Sequence, residues 1–380
     1  MLCGSHMLAG SPIDEDGNIV GQDSGSTLLR RIIGLYPKAD LIWGDRVIET
    51  PWGRVIPLKK VDVNNTVVIS FDVLETPKLF LDMKLTPGFH HPKVLNFAWW
   101  NAPEFSTPVR REVFSISMAL FPVIGNSPKV IQESKDLIRK HLGVKMLGQM
   151  RTAWTFLGVD VEKIPTERRE EQIPVVQYPA MFMTMRKNPE QFLKICAAVR
   201  RRTPLNARMR LHKSGIKADV LESVKDETWV QVMAVPPSKQ QYYDMLPTET
   251  AFLATSSDES YGIGFLESLY AGLIGIFPDK PWCKQILPPG YPFLFRTDEE
   301  AEEMLYLALT RPEWARAQVD AVAGGSVQDW IRENHNAADF DREFVRLVEE
   351  FYPERVVDPN AKKAVRKRKA DSSLFEEMTK

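Results

Sequence analysis

With 49 Lys and Arg against 50 Asp and Glu, and 44% hydrophobic residues over 380 positions, the chain reads as globular and long enough for two cores. That balance removes any net-charge argument for a polyanionic partner. Cys3, Cys196 and Cys283 lie far apart, in an odd number without the paired spacing of a zinc site or a disulfide framework, which points to a reducing, cytoplasmic setting. The longest apolar stretches, Val113 to Ile124 and Phe265 to Phe277, are shorter than the ~20 residues a bilayer requires, so no membrane span is expected, and nothing reads as a signal peptide.

In chain order, short β-branched or apolar runs alternate with longer helical patterns, the signature of parallel sheets with crossover helices. The first half predicts a helix over Ser26 to Leu35 and strands over Asp40 to Trp43, Thr66 to Phe71, Val94 to Trp99 and Pro122 to Gly125. A second helix, Ser127 to His141, has a hydroxyl near its start and Arg139, Lys140 and His141 in its last turn, both favourable to its ends. The charged stretch from Val159 to Gln172, with Pro165 inside it, is expected to link two domains.

The alternation then resumes. Strands are predicted over Val175 to Met183, Arg208 to His212, Val230 to Ala234, Thr250 to Ala254 and Ile274 to Phe277. Helices are predicted over Pro189 to Arg202, Lys217 to Val224, Lys239 to Leu246 and Phe265 to Ala271. Helical residues rich in Glu, Ala and Leu follow, ending in an amphipathic segment from Asp339 to Tyr352. The expected organisation is two doubly wound α/β domains facing a cleft, 1–165 and 173–335, then a helix over 336–356 that returns to the first domain. A basic flexible tail over 357–380 carries Lys362, Lys363 and Arg366 to Lys369.

The residues richest in chemistry fall within 238 to 277: the stretch Ser238 to Leu246, then, between two predicted strands, Asp258-Glu259-Ser260-Tyr261-Gly262-Ile263-Gly264-Phe265-Leu266-Glu267, with Ala271-Gly272 after them. Backbone N–H groups at a glycine-opened helix start can approach a diphosphate closely and bring a favourable dipole, a part suited to Gly262, Ile263 and Gly264. An ionised glutamate accepts hydrogen bonds only and can bridge two neighbouring hydroxyls. Acidic residues also favour a helix's first turn without any ligand, so spacing alone leaves Glu259 and Glu267 open to a purely structural reading.

Taken with the strands on either side, the stretch resembles the carboxy-terminal domain of retaining GT-B glycosyltransferases, and is similar to their large family-four group. That group typically shows Glu-Gly-Phe-Gly-Leu-Pro, a Glu-Ala pair and Ala-x-Gly. Glu259, Gly262, Glu267 and Gly272 align with this pattern, while Ser260 stands where the first glycine is usual and Gly264 where proline is common. The resemblance implies that Glu267 holds the nucleotide ribose and Glu259 the hydroxyls of the transferred sugar, with Ser260 and Tyr261 beside the donor. Arg186 and Lys187, after the first strand of this domain, would stabilise charge on the departing diphosphate.

On the acceptor side the resemblance implies a glycine-containing loop, for which Gly21 to Thr27 with Gly25 is the candidate. Where relatives commonly have a histidine, this chain has Trp100 and Asn101, with the pair His90-His91 shortly before. The implied reaction is transfer of a sugar from a nucleotide-diphosphate sugar, most readily a UDP-sugar, to a hydroxyl with retention of configuration and with neither metal nor cofactor. Two other readings stay open. One is a phage-type transferase acting on hydroxymethylated bases of DNA, for which Arg110-Arg111, Arg200 to Arg202 and the basic tail would track phosphates. The other is a nucleotide-sugar epimerase or a non-enzymatic binder of similar fold.

Overall fold

The computed structural model describes residues 2–3, 13–21, 24–37, 39–86, 91–101 and 107–353. The basic tail, His90 and Gln22-Asp23 of the glycine-containing loop lie outside the described residues.

The first domain runs β1 (Leu2–Cys3), α1 (Ser24–Leu35), β2 (Asp40–Ile42), β3 (Ile48–Thr50), β4 (Gly53–Ile56), β5 (Val67–Ser70) and α2 (Thr76–Lys84). It continues with β6 (Lys93–Ala98), α3 (Pro108–Leu120), β7 (Val123–Gly125), α4 (Pro128–Leu142), α5 (Val144–Leu147) and β8 (Thr152–Trp154). These strands form one sheet in the order β3-β4-β2-β1-β5-β6-β7-β8, parallel except for the β3-β4 hairpin. Strands of three and four residues carry too little periodicity to be read from sequence, which is why the hairpin was not expected; Pro51 and Gly53 at its turn are the signal for it.

The second domain contains β9 (Val175–Tyr178), α6 (Pro189–Arg200), β10 (Asn206–Leu211), α7 (Ala218–Glu222), β11 (Val230–Ala234), α8 (Lys239–Met245) and β12 (Ala251–Leu253). After these come α9 (Ile263–Tyr270), β13 (Ile274–Pro278), α10 (Pro281–Lys284), β14 (Leu294–Phe295), α11 (Asp298–Thr310), α12 (Pro312–Ala323), α13 (Val327–Asn334) and α14 (Ala337–Phe351). Its sheet is wholly parallel in the order β11-β10-β9-β12-β13-β14, which in the domain's own count is 3-2-1-4-5-6. Every residue of β9, β12 and β13 is buried, as central parallel strands covered on both faces must be. In such a sheet ligands bind beyond the carboxyl ends of the strands where the order reverses, here between β9 and β12.

The chain crosses between the domains twice, and the two crossings run side by side. Val159 N–H donates to the His335 carbonyl at 2.7 Å and Ala337 N–H to the Val159 carbonyl at 2.9 Å. Gly158 makes that approach possible: its φ is +69° and an added Cβ would lie 2.4 Å from the Asn336 carbonyl oxygen. α14 then packs on the first domain, with Phe340 and Phe344 in edge contact with Phe97 of β6.

The charged run after Pro165 is not a free linker. Arg168 donates to the carbonyls of Ala271, at 2.9 Å, and Glu249, while Arg169 N–H and Glu171 N–H donate to the carbonyls of Pro247 and Thr248. Arg168 and Arg316 share the carboxylate of Glu170. Charges that look solvated in sequence are therefore matched by the carbonyl end of α9 and by each other, and the run belongs to the surface of the second domain.

Candidate functional site

The turn that follows β9 is built by Thr184, whose carbonyl accepts from the N–H groups of Lys187 and Asn188. Asn188 closes it in the left-handed region with φ of 47°, a conformation asparagine tolerates better than most residues. Opposite it, the loop after β12 is tied to this turn: Ser257 N–H donates to the Arg186 carbonyl at 2.9 Å and the Thr255 hydroxyl to the Lys187 carbonyl at 2.8 Å. The ammonium of Lys187 pairs with the carboxylate of Glu259, which is 7% exposed. Arg186, Lys187 and Glu259 are thus brought together at the point where the sheet order reverses.

α9 begins at the same place. Gly262 precedes its first residue with φ of +92°, and a Cβ there would meet the Phe265 ring at 2.8 Å, so a glycine is needed on both counts. Gly264 has nothing within 4 Å of a Cβ position, which leaves the first turn of α9 open to a close approach. The N–H groups of Ile263 and Gly264 lie in the turn that has no intrahelical acceptors.

One turn further on, Glu267 is 1% exposed. Its carboxylate accepts from Lys239 Nζ at 2.8 Å and from the Tyr243 hydroxyl at 2.9 Å, so its charge is buried but compensated. Burial works against the charge of Lys239, and the Glu267 carboxylate together with Tyr242 more than offsets it, holding that ammonium above its usual range. Burial followed by the same carboxylate pushes the Tyr243 hydroxyl well above the ordinary range, so it remains a donor. Lys239, half-exposed, covers Glu267 from the solvent side. Lys239 and Tyr243 fall within the region singled out from sequence but had no role there, because α8 shows only a helical pattern and its pairing with α9 is tertiary.

The remaining residues singled out by sequence fall in different places. Ser260 contributes its backbone: its carbonyl accepts from the Ser127 hydroxyl at 2.7 Å and from Gln285 at 3.3 Å. Tyr261 turns its side chain into the interior. Its ring is 1% exposed and stacks on Phe156, with its hydroxyl 3.2 Å from the Gly158 N–H and 3.0 Å from His335 Nδ1, inside the joint between domains. The left-handed turn at Gly262 separates the directions of its neighbours, which proximity in sequence could not reveal. His335, in the same aromatic pocket, is held neutral by burial, its pKa pushed down to about 4.

In the first domain, residues 24–27 form the opening of α1, not a loop, and Gly25 is buried in that turn. Trp100, at the end of β6, is half-buried against the α3 and α4 core and in edge contact with Trp99. Asn101 is fully buried, with its Oδ1 3.5 Å from Lys129 Nζ. Taken together, the cleft has a second-domain wall of two lysine–carboxylate pairs around an open helix N-terminus, which is chemistry able to hold an anion and hydroxyl groups side by side.

No family model matches the chain, and no curated protein matches it. Its likeness is to solved structures. Sucrose-phosphate synthase from Thermosynechococcus elongatus superposes with a TM-score of 0.66 at 13% identity, over 92% of this chain and 98% of that one. HepE from Anabaena, in complex with UDP and glucose, gives 0.61 at 11% identity over 92% and 98%. An α,α-trehalose-phosphate synthase from Burkholderia xenovorans, in complex with glucose-6-phosphate, gives 0.62 at 10% identity over 88% and 97%. The likeness, spanning nearly the full length of each, establishes the fold: two Rossmann-like domains in the GT-B arrangement.

Proposed function

We propose that the chain is a glycosyltransferase that moves a sugar from a nucleotide-diphosphate sugar to a hydroxyl acceptor with retention of configuration. The observation that carries this reading is the meeting of Lys187–Glu259, Lys239–Glu267 and the open first turn of α9 at the reversal point of the second sheet. A UDP-sugar is the proposed donor. Solved structures of similar fold support that choice, since HepE was obtained with UDP-glucose and the pneumococcal transferase GtfA with UDP and GlcNAc.

In this reading the diphosphate lies over the N-terminus of α9, where Ile263 and Gly264 donate from the backbone and Gly264 leaves room. Arg186 and Lys187 face it, and Lys187 transfers from Glu259 to the phosphate oxygens when the donor enters. Glu259, released from Lys187, accepts from hydroxyls of the sugar, and Glu267 accepts from the ribose. The anomeric carbon–oxygen bond to the diphosphate breaks with charge growing on the phosphate, which Lys187, Arg186 and the helix dipole stabilise. The acceptor oxygen bonds to the anomeric carbon on the face the diphosphate leaves, and its proton passes to a phosphate oxygen. The protein's contribution is positioning and electrostatics, which asks for no acidic or basic side chain at the reacting atom.

For the DNA reading the first test is the basic residues offered for it. Arg200 donates to the Leu205 carbonyl and Arg202 pairs with Glu302 and Glu303, so these two are engaged within the second domain. The experiment for the main reading is a thermal-shift and calorimetric titration with UDP-, GDP-, ADP- and TDP-sugars. Saturable stabilisation by one nucleotide, lost in Glu267→Ala, is the expected result. Failure of all four to bind would sink it.

A further inference from the structure

The loop carrying Glu259 is secured at its near end within its own domain, through Thr255 and Ser257. Its tip is held from across the cleft. Lys129, in the first turn of α4, places Nζ 2.9 Å from Asp258 Oδ1 and 3.1 Å from Oδ2. Ser127, which caps α4, accepts from Val130 N–H at 3.3 Å and donates its own hydroxyl proton to the Ser260 carbonyl at 2.7 Å. The residues on either side of Glu259 are therefore both gripped by one helix end of the opposite domain.

Resting on the glycosyltransferase reading, we propose that Lys129 and Ser127 are positioning residues for Glu259, so that the carboxylate expected to hold the donor sugar is set only when the two domains are in contact. Three features support this. Lys129 and Asp258 are 17% and 28% exposed, so their attraction is less screened than that of a surface pair. Lys129 also pairs with Glu133 one turn along α4, which fixes the direction of its stem toward the cleft. Ser127 is fully buried, and its single hydroxyl serves both the cap and the contact, so the orientation of α4 and the position of Ser260 are set together.

The sugar-holding residue thus depends on the first domain, whereas Glu267 and its partners Lys239 and Tyr243 belong to the second domain alone. Nucleotide binding and sugar positioning should accordingly separate in variants of the contact. A small displacement of a positioned group is enough to cost up to about a hundredfold in rate.

The test uses the full chain with UDP and UDP-glucose, comparing Lys129→Met, Lys129→Arg and Asp258→Asn. UDP affinity by calorimetry is expected to stay within about twofold of wild type, while the rate of UDP release from UDP-glucose falls between about 10- and 100-fold in Lys129→Met and Asp258→Asn. Lys129→Arg should recover most of the rate, and the double variant Lys129→Met with Asp258→Asn should be no slower than either single one. Thermal unfolding of each variant separates this from loss of folding, and Asp258→Asn probes the contact from the other side should Lys129→Met fold poorly. Wild-type turnover beside an equal rate in Lys129→Met and Asp258→Asn overturns the proposal alone, as does a rate loss matched by an equal loss of UDP affinity. A wild-type chain that neither binds UDP nor releases it overturns the donor reading beneath the proposal.

Discussion

The carboxyl ends of the two sheets meet across the cleft with opposite character. On the second-domain wall Lys187, Glu259, Lys239 and Glu267 form two ion pairs made wholly inside that domain. At the ends of β6 and β7 in the first domain stand the half-buried Trp100 and the buried Asn101, Asn126 and Ser127, and the nearby Lys129 is engaged with Glu133 and with Asp258 of the other domain. The difference teaches that one wall can meet a diphosphate with charges of its own, whereas the other contributes neutral groups and a contact that exists only when the walls are together.

The largest expected effect lies where the two regions join. His335 packs against Phe156, Trp330 and Tyr261, and its folded-state pKa of about 4 is below the unfolded value of about 6.5. Between those values the unfolded chain takes up a proton that the folded chain refuses, so stability falls as pH drops from about 6.5 toward about 4, by about 3 kcal/mol in all. Above about 6.5 both states are neutral and the residue adds no pH dependence. Urea denaturation from pH 7 to pH 4 should show a steeper loss in wild type than in His335→Asn. Parallel pH curves for the two proteins would show that the joint does not withhold the proton.

Within the second-domain wall, Glu267→Ala removes the acceptor of both Lys239 and Tyr243. Breaking a fully buried pair costs about 3–5 kcal/mol, and because Lys239 is half-exposed the expected loss is nearer about 2 kcal/mol. Lys129→Met, on the other wall, is expected to cost under about 1 kcal/mol, since Glu133 and Asp258 are both partly solvated. Equal losses in the two variants would erase the distinction between the walls.

How much of this was legible in the sequence follows the same division. β12 and β13 are legible to within about one residue because strands buried on both faces must be apolar throughout, whereas β10, with Arg208 and Arg210, and the edge strand β11 show only their β-branched and apolar residues at alternate positions. The β9 strand stops at Tyr178, short of the expected Met183, because the chain turns at Pro179 to build the loop that carries Arg186 and Lys187. In the first domain the hairpin of β3 and β4 has strands too short to show a period, and α3 hides its polar face among residues that read as one apolar stretch. The glycine turn at a helix start was legible from Gly262 and its flanking strands, and Tyr261 could not be placed, because a left-handed residue beside it decides where its ring points. Lys239 and Lys129 were beyond reach for a different reason: each is matched to a carboxylate far away in the chain.

The glycine turn offers a sharper comparison within one wall. Gly262→Ala has to place a Cβ against the Phe265 ring in a left-handed conformation, and should cost about 1–2 kcal/mol in thermal or urea denaturation. Gly264→Ala meets no neighbour and should leave stability within about 0.5 kcal/mol, yet it narrows the approach to the first turn of α9. Weakened UDP binding in Gly264→Ala without a change in melting temperature is the expected pattern. Unaltered binding there would remove the diphosphate from this turn.

A last pair of variants distinguishes the two glutamates. In the proposed reading Lys187 moves from Glu259 to the diphosphate, so entry of UDP parts the pair and leaves Glu259 without its cation. A UDP-sugar returns hydrogen-bond donors to that carboxylate, and UDP alone does not. Glu259→Gln lowers the cost of parting, so it should tighten UDP binding by up to about tenfold, equivalent to about 1.4 kcal/mol, while slowing turnover of the sugar donor. Glu267→Ala should do the reverse for UDP, because the ribose loses its acceptor. If Glu259→Gln instead binds UDP no better than wild type, the Lys187–Glu259 pair is a fixed structural contact, and the sugar-holding role passes from Glu259 to another residue of the wall.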